Sequence, residues 1–152
     1  MRFVAGLPHR REDWGTGFRP TSDPAFAALN PHRLVPVVVA SGGATGPDFV
    51  LWESNTICRW LAAEQGRDDL LPAGPRPRAL VERWMDWQAT ELNASWRHAF
   101  MALVRQHPDF VADAAATAAS AAQWNRQMSV LDAWLGHGGP WVAGDTFTLA
   151  DV

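Results

Sequence analysis

Residues 30–39 read NPHRLVPVVV, and residues 49–61 read FVLWESNTICRWL. The β-branched valines of the first stretch predict a strand over Leu34–Ala40. The second stretch opens with the apolar run Phe49–Trp52, which predicts a returning strand. The glycine-rich residues Ser41–Pro47 between the two strands predict a hairpin turn.

The second stretch then continues into an amphipathic helix, with Ser54 as its expected N-cap and Gly66 at its end. A cis Val35–Pro36 bond would turn the backbone so that the N–H and C=O of Val35 face a ligand. The Glu53-Ser54 pair would place a carboxylate and a hydroxyl at the positive end of the helix, where they suit the ammonium and carboxylate of an amino acid. The alternatives are a proline at the first residue of a strand, a surface glutamate and a serine that only caps.

Two further elements are predicted before this region. Leu7–Glu12 is expected to form a strand, preceded only by Met1–Gly6. Asp23 should cap a short helix over Pro24–Leu29, because proline is favoured at the first helical position.

Beyond residue 67 the hydrophobic period changes from 2 to 3.6, which predicts helices. After a proline-rich stretch, Asp68–Arg78, one long helix is expected to run to a break at His107-Pro108. A second, alanine-rich helix should end at Leu135, and a capping box of Thr148 and Asp151 should open another. The inward face of the second long helix is expected to consist of Val111, Ala114, Ala118, Ala121, Met128, Leu131 and Trp134 or Leu135.

Composition limits the function classes. A hydrophobic fraction of 47% with nine tryptophans predicts a packed core, and a net charge of −3 gives no reason to expect nucleic acid as a partner. No apolar run approaches the ~20 residues that span a bilayer, and the single cysteine, Cys58, suits a reducing compartment, so we expect a cytoplasmic protein.

All thirteen basic residues are arginine, which excludes a Walker-type phosphate loop and a lysine Schiff base. The histidines show no metal spacing, so no metal site is expected, and Cys58 is read as a buried apolar residue.

Together, the two stretches at residues 30–39 and 49–61 resemble the glutathione-binding site of the glutathione transferases. The resemblance continues further along the chain. Asp69–Pro72 is similar to the family's interdomain linker, and Trp87–Asn93 is similar to the first long helix of its bacterial members. Ala143–Asp151 is similar to the segment that opens the family's buried helix. It implies an α/β plus all-α fold, with a partial thioredoxin-like domain over residues 1–67, a linker over 68–78 and a partial helical domain over 79–152.

The resemblance also implies roles for individual residues. Val35, before the cis-proline Pro36, would pair by its backbone with the cysteinyl part of glutathione, and Glu53 and Ser54 would hold the γ-glutamyl end. Arg33, or His32 beside it, would take the glycyl carboxylate; the alternative is a solvated loop charge. In the helical part, Glu91 would reach the glutathione of a neighbouring subunit in a homodimer; the alternative is an exposed helical glutamate. Trp96 or Phe100 would line an apolar pocket for a small electrophile.

The implied function is conjugation of glutathione to small apolar electrophiles by thiolate attack, with a non-catalytic binding or dimerisation module as the alternative. A glutaredoxin-like reductase is disfavoured, since no cysteine lies near the first strand. The family's catalytic Ser, Tyr or Cys lies at the end of a first strand that is followed by a helix, and Met1–Gly6 is too short for both elements. No Ser, Tyr or Cys precedes Ser22, so the catalytic residue stays unassigned. We therefore expect an internal portion of a longer protein or a gene product truncated at both ends.

Overall fold

The computed structural model describes residues 7–42 and 46–152. These residues form two compact units, with the division between Arg67 and Asp68. The domain and linker boundaries given above stay predictions. The predicted turn over Ser41–Pro47 lies partly outside the described residues, and Met1–Gly6 lies wholly outside them.

The first helix of the first unit, α1, spans Pro24–Leu29 as predicted. Its N-cap is Asp23, whose carboxylate accepts a hydrogen bond of 2.8 Å from the N–H of Ala25. The buried ring of Phe26 lies 5.1 Å from the ring of Trp14, centroid to centroid. This contact anchors α1 on the loop that precedes it.

Two antiparallel strands follow, β1 over Val37–Ala40 and β2 over Phe49–Trp52. The ladder runs from the pair Val37 and Trp52 to the pair Ala40 and Phe49. The returning strand is placed as predicted, whereas β1 begins three residues after the expected Leu34. Pro36 has no N–H to donate, so the ladder starts after it.

The predicted strand over Leu7–Glu12 is wrong. Residues 7–13 have no regular structure, and among the described residues no strand lies beside them. A strand needs a neighbouring backbone to satisfy its polar groups. Here the exposed charges pair locally instead, with the guanidinium of Arg10 2.7 Å from Glu12 and that of Arg11 2.7 Å from Asp13.

Helix α2 spans Ser54–Glu64 and ends the first unit, with Gly66 at φ +59° just beyond it. Ile57 and Ala62 are its buried residues. Ser54 is the first helical residue and not the N-cap, which corrects the prediction. Glu53 occupies the capping position, without a side-chain cap hydrogen bond.

The long helix expected in the second unit is interrupted. Helix α3 spans Pro75–Trp87, a π-helical turn follows over Gln88–Leu92, and α4 spans Asn93–Leu103. The π-turn holds more residues per turn than an α-helix, so it changes the helical phase between α3 and α4. The break before Pro108 occurs as predicted, and the short helix α5 spans Pro108–Val111.

Helix α6 spans Ala114–Gly138 and packs on α4. Its predicted inward face is wrong in part: Val111 before the helix is 50% exposed. The exposed residues within the helix include Ala114, Ala118, Trp134 and Leu135. The buried residue of α6 is Ser120. Alanine lies on every side of this helix, so the apolar period identifies the packed face poorly.

Ser120 joins α6 to α4. Its hydroxyl donates to the carbonyl of Ser95 at 2.7 Å and accepts from the N–H of Ala99 at 3.1 Å. Two turns along α6, Gln127 accepts from the indole N–H of Trp87 at 3.0 Å. The first link fixes the register of α6 on α4, and the second ties α6 to the end of α3.

The second unit ends in a 3-10 turn over Leu149–Asp151, with the predicted capping box of Thr148 and Asp151 in place. The N–H of Leu149 donates to the carbonyl of Leu70 at 2.9 Å, and both side chains are buried. The other core residues of the unit are Leu71, Val81, Trp84, Met85 and Ala102.

Candidate glutathione site

The hairpin register brings four predicted site residues together. Val37 pairs with Trp52 at the open end of the ladder. One step further along each strand lie Pro36 and Glu53, and the next residues are Val35 and Ser54. The ladder stops at Val37 and Trp52, so these four residues lie just beyond the same end of the hairpin, and we call this cluster the hairpin end.

The backbone of the hairpin end has two special features. The Val35–Pro36 peptide bond is cis, as predicted. Glu53 has a φ of +74°, a value that side-chain-bearing residues rarely adopt. Val35 is 55% exposed, and Glu53 and Ser54 are exposed, so the cluster is accessible from solvent.

The N-terminus of α2 adds a positive end to this cluster. Ser54 is its first residue, and the carbonyl of Glu53 accepts from the N–H of Ile57 at 2.9 Å. The first N–H groups of a helix have no partner within it and favour an anion. Glu53 and Ser54 thus stand next to each other in the chain at the N-terminus of α2, an arrangement that suits a group with both an ammonium and a carboxylate.

Residues 30–35 form the loop that leads into the hairpin end, and a residue that the sequence analysis missed organises it. Asn30 is 3% exposed. Its side-chain N–H donates to the carbonyl of Leu34 at 2.8 Å, its side-chain oxygen accepts from the N–H of His32 at 2.9 Å, and its carbonyl accepts from the N–H of Arg33 at 2.9 Å. An Asn before proline favours such a turn, which is the signal that could have revealed it.

Arg33 is held in this loop with a φ of +55°. The ring of His32 lies edge-on to that of Trp52 at 5.1 Å, next to Glu53. The loop therefore leads into β1 along the chain and contacts the last residue of β2 through His32. Arg33 and His32, the two alternatives for a carboxylate, differ in surroundings: His32 is engaged with an indole, whereas Arg33 borders a groove.

The groove has a volume of about 400 Å³. It is lined by Arg33, Leu34 and Val35 and by residues of the loop from Gly15 to Ser22. Arg19 braces that loop, with its guanidinium 3.9 Å from the centre of the Trp14 ring and 3.0 Å from Glu12. Arg19, with Arg10, holds the pKa of Glu12 below its usual value.

The remaining predicted residues lie elsewhere. Glu91 is exposed on the π-turn of the second unit, and Trp96 contacts Phe100 edge to face at 5.0 Å on α4. The role of Glu91 at a neighbouring subunit and the apolar pocket beside Trp96 or Phe100 stay predictions. Cys58 is half-buried and not fully buried as predicted. This partial burial raises the pKa of its thiol, so Cys58 lacks the activated state that a catalytic thiolate needs.

The part of the chain that the structure describes contains no group of three or more His, Cys, Asp or Glu side chains placed to hold a metal ion. Within residues 7–42 and 46–152, every helix is too short or too polar to span a lipid bilayer.

Comparison with known proteins identifies the family. A family model described as glutathione S-transferase, N-terminal domain, matches residues 1–64, and one described as glutathione S-transferase, C-terminal domain, matches residues 95–152. Glutathione S-transferase GstB of Escherichia coli K12 is 37% identical over 146 residues, which are 96% of this chain and 67% of GstB.

Solved structures agree. The theta class glutathione S-transferase of Xanthomonas axonopodis pv. citri, determined with glutathione bound, superposes with a TM-score of 0.84 at 35% identity, over 99% of this chain and 69% of that one. A glutathione transferase family member from Pseudomonas fluorescens shares the fold with a TM-score of 0.82 at 23% identity, over 97% of this chain and 63% of that one. The predicted fold class, α/β plus all-α, is confirmed, and the chain belongs to the glutathione S-transferase family.

Proposed function

We propose that this protein is a glutathione transferase that conjugates glutathione to small apolar electrophiles. The hairpin end carries the proposal, because it groups Val35, Pro36, Glu53 and Ser54 beside a helix N-terminus. The bound glutathione of the Xanthomonas relative, which is 35% identical to this chain, supports glutathione as the substrate.

Each part of the tripeptide has a chemically matched partner. The γ-glutamyl ammonium pairs with the carboxylate of Glu53. The γ-glutamyl carboxylate accepts hydrogen bonds from the hydroxyl of Ser54 and from the first N–H groups of α2. The cysteinyl backbone pairs with the backbone of Val35. Arg33, at the edge of the groove, takes the glycyl carboxylate.

The chemical step is attack by the glutathione thiolate on an electrophilic carbon, since the thiolate and not the thiol is the nucleophile. The thiol gives up its proton, a sulfur–carbon bond forms, and a leaving group such as halide departs with its bonding electrons. What these residues contribute is position: they hold the tripeptide so that its sulfur meets the electrophile in a fixed geometry. The group that stabilises the thiolate stays unassigned.

We further propose that the protein acts in the cytoplasm as a homodimer in which Glu91 reaches the partner's glutathione. A carboxylate there would attract the γ-glutamyl ammonium, a second contact of the kind that Glu53 makes. The exposed position of Glu91 on the π-turn supports this role, since π-turns occur often at functional sites.

The test is a calorimetric titration with glutathione. Losing a hydrogen bond to a charged group costs about 1.5–3 kcal/mol, so Glu53→Ala and Ser54→Ala should each weaken binding about tenfold or more. Glu64→Ala is the matched control, because Glu64 is an exposed glutamate at the other end of α2.

Unchanged affinity in both site variants would contradict the assignment of the hairpin end. An assay of glutathione conjugation to an aromatic halide then separates an enzyme from a binding module. Binding without turnover above the uncatalysed rate would favour the module.

A further inference from the structure

Asn30 is the buried polar residue of the loop formed by residues 30–35, and its hydrogen bonds reach three positions there. Its side chain spans from the N–H of His32 to the carbonyl of Leu34, and its carbonyl receives the N–H of Arg33. Arg33 and Leu34 are exposed, with Leu34 at 64%. A buried residue therefore fixes the backbone on which two exposed wall residues of the groove stand.

The conformation that Asn30 fixes is one that Arg33 does not favour alone. At a φ of +55° the β-carbon of Arg33 is crowded by its own backbone, a cost that other contacts must offset. The hydrogen bonds of Asn30 on both sides of Arg33 supply that offset. Without them the loop could relax, and the direction in which the guanidinium leaves the backbone would change.

We propose that Asn30 is a positioning residue that gives the site its preference for a free glycyl carboxylate, by holding Arg33 at the edge of the groove. The inference rests on the proposed function, in which Arg33 pairs with that carboxylate. Asn30 itself touches no ligand, since its side chain is buried under the loop. Its effect should therefore appear only for ligands that Arg33 can recognise.

The experiment compares two ligands by calorimetry: glutathione, and glutathione monoethyl ester, in which the glycyl carboxylate is esterified. The wild-type chain should bind the free acid about tenfold more tightly, the value of one charge-assisted contact. Asn30→Ala should remove this preference while changing the affinity for the ester less than about twofold. Arg33→Ala should give the same result, and the double variant should show no further loss, because residues that act as a unit are not additive.

Asn30→Asp serves as the second variant, since it keeps the shape and the acceptor but removes the donor to Leu34. Asp23→Ala is the structural control: it removes the cap at the start of α1, the helix that ends beside Asn30, and should lower stability without altering the preference.

Three results would overturn the inference. They are an Asn30→Ala variant that weakens both ligands by the same factor, failure of both Asn30 variants to fold, and a wild-type chain that binds the two ligands equally. A wild-type chain that binds neither ligand would instead contradict the proposed function itself.

Discussion

At the scale of single residues, Glu53 combines an unfavourable backbone with an exposed side chain. Its φ of +74° and ψ of 113° lie outside the regions that side-chain-bearing residues normally occupy. Conformations of this kind cost about 1–3 kcal/mol and occur mainly where a side chain has a function. The carboxylate of Glu53 makes no cap hydrogen bond to α2, so it is not used to close the helix end.

Replacing Glu53 by glycine should therefore separate stability from binding. Glu53→Gly and Glu53→Ala both lose the carboxylate, and both should bind glutathione about tenfold or more weakly. Only glycine removes the crowding of the β-carbon, so Glu53→Gly should unfold with a free energy about 1 kcal/mol higher than Glu53→Ala. Urea unfolding measures the difference, and a glycine variant less stable than the alanine variant would refute the conformational explanation.

At the scale of elements, Asp151 connects two segments that end the second unit. One carboxylate oxygen accepts from the N–H of Val142 at 2.8 Å, and the other accepts from the N–H of Thr148 at 2.9 Å. The carboxylate thus holds the final turn against the loop after α6. The capping box that the sequence predicts is only half of this connection.

Asp151→Ala leaves both N–H groups without their partner and should lower the free energy of unfolding by about 2 kcal/mol. Asp151→Asn keeps one acceptor and should lose about half as much. Lower urea midpoints with unchanged glutathione affinity are the expected result. If affinity fell while stability stayed constant, Asp151 would belong to the binding site.

Elements marked by local signals were predictable from sequence. Pro24 after Asp23 fixed the start of α1, and the ladder from Val37 to Trp52 follows from the valines and the returning apolar run. The π-turn over Gln88–Leu92 was missed, although Trp87 and Leu92 are five residues apart and an α-helical period spaces apolar residues three or four apart.

The residues of the site were predictable from sequence, but the hydrogen bonds and backbone angles that hold them in place were not. Glu53 and Ser54 are visible in the sequence, whereas the positive φ of Arg33 carries no local signal in a residue other than glycine. Asn30 acts through hydrogen bonds to residues two and four positions later, and a sequence does not display these geometries.

At the scale of the whole molecule, the structure shows more buried apolar side chains in the second unit than in the first among residues 7–42 and 46–152. Phe26, Ile57 and Ala62 are buried in the first, against the larger set around Leu70, Leu71 and Val81 in the second. Regions with few buried apolar residues open at lower free energy. The first unit carries Cys58, the only thiol of the chain, which makes its opening measurable.

Cys58 should react slowly with a disulfide reagent in the folded protein and rapidly in urea. Burial raises the pKa of its thiol above the ordinary 9.0, so folding keeps it protonated to higher pH. The stability that this contributes is fully present below 9.0 and is lost as the pH rises through the higher folded-state pKa. Labelling rates measured from pH 7 upward check this, with Cys58→Ser as the blank; a folded protein that labels at the rate of a free thiol would contradict it.

The antiparallel hairpin has a practical consequence for protein engineering. Its ladder ends at the pair Val37 and Trp52 on the side of Pro36 and Glu53, and at the pair Ala40 and Phe49 on the other side, where the chain connects the two strands. Surface connections tolerate added length at little free-energy cost. An epitope, a fluorophore-binding peptide or an affinity handle inserted there would report on the protein without displacing the residues assigned to glutathione.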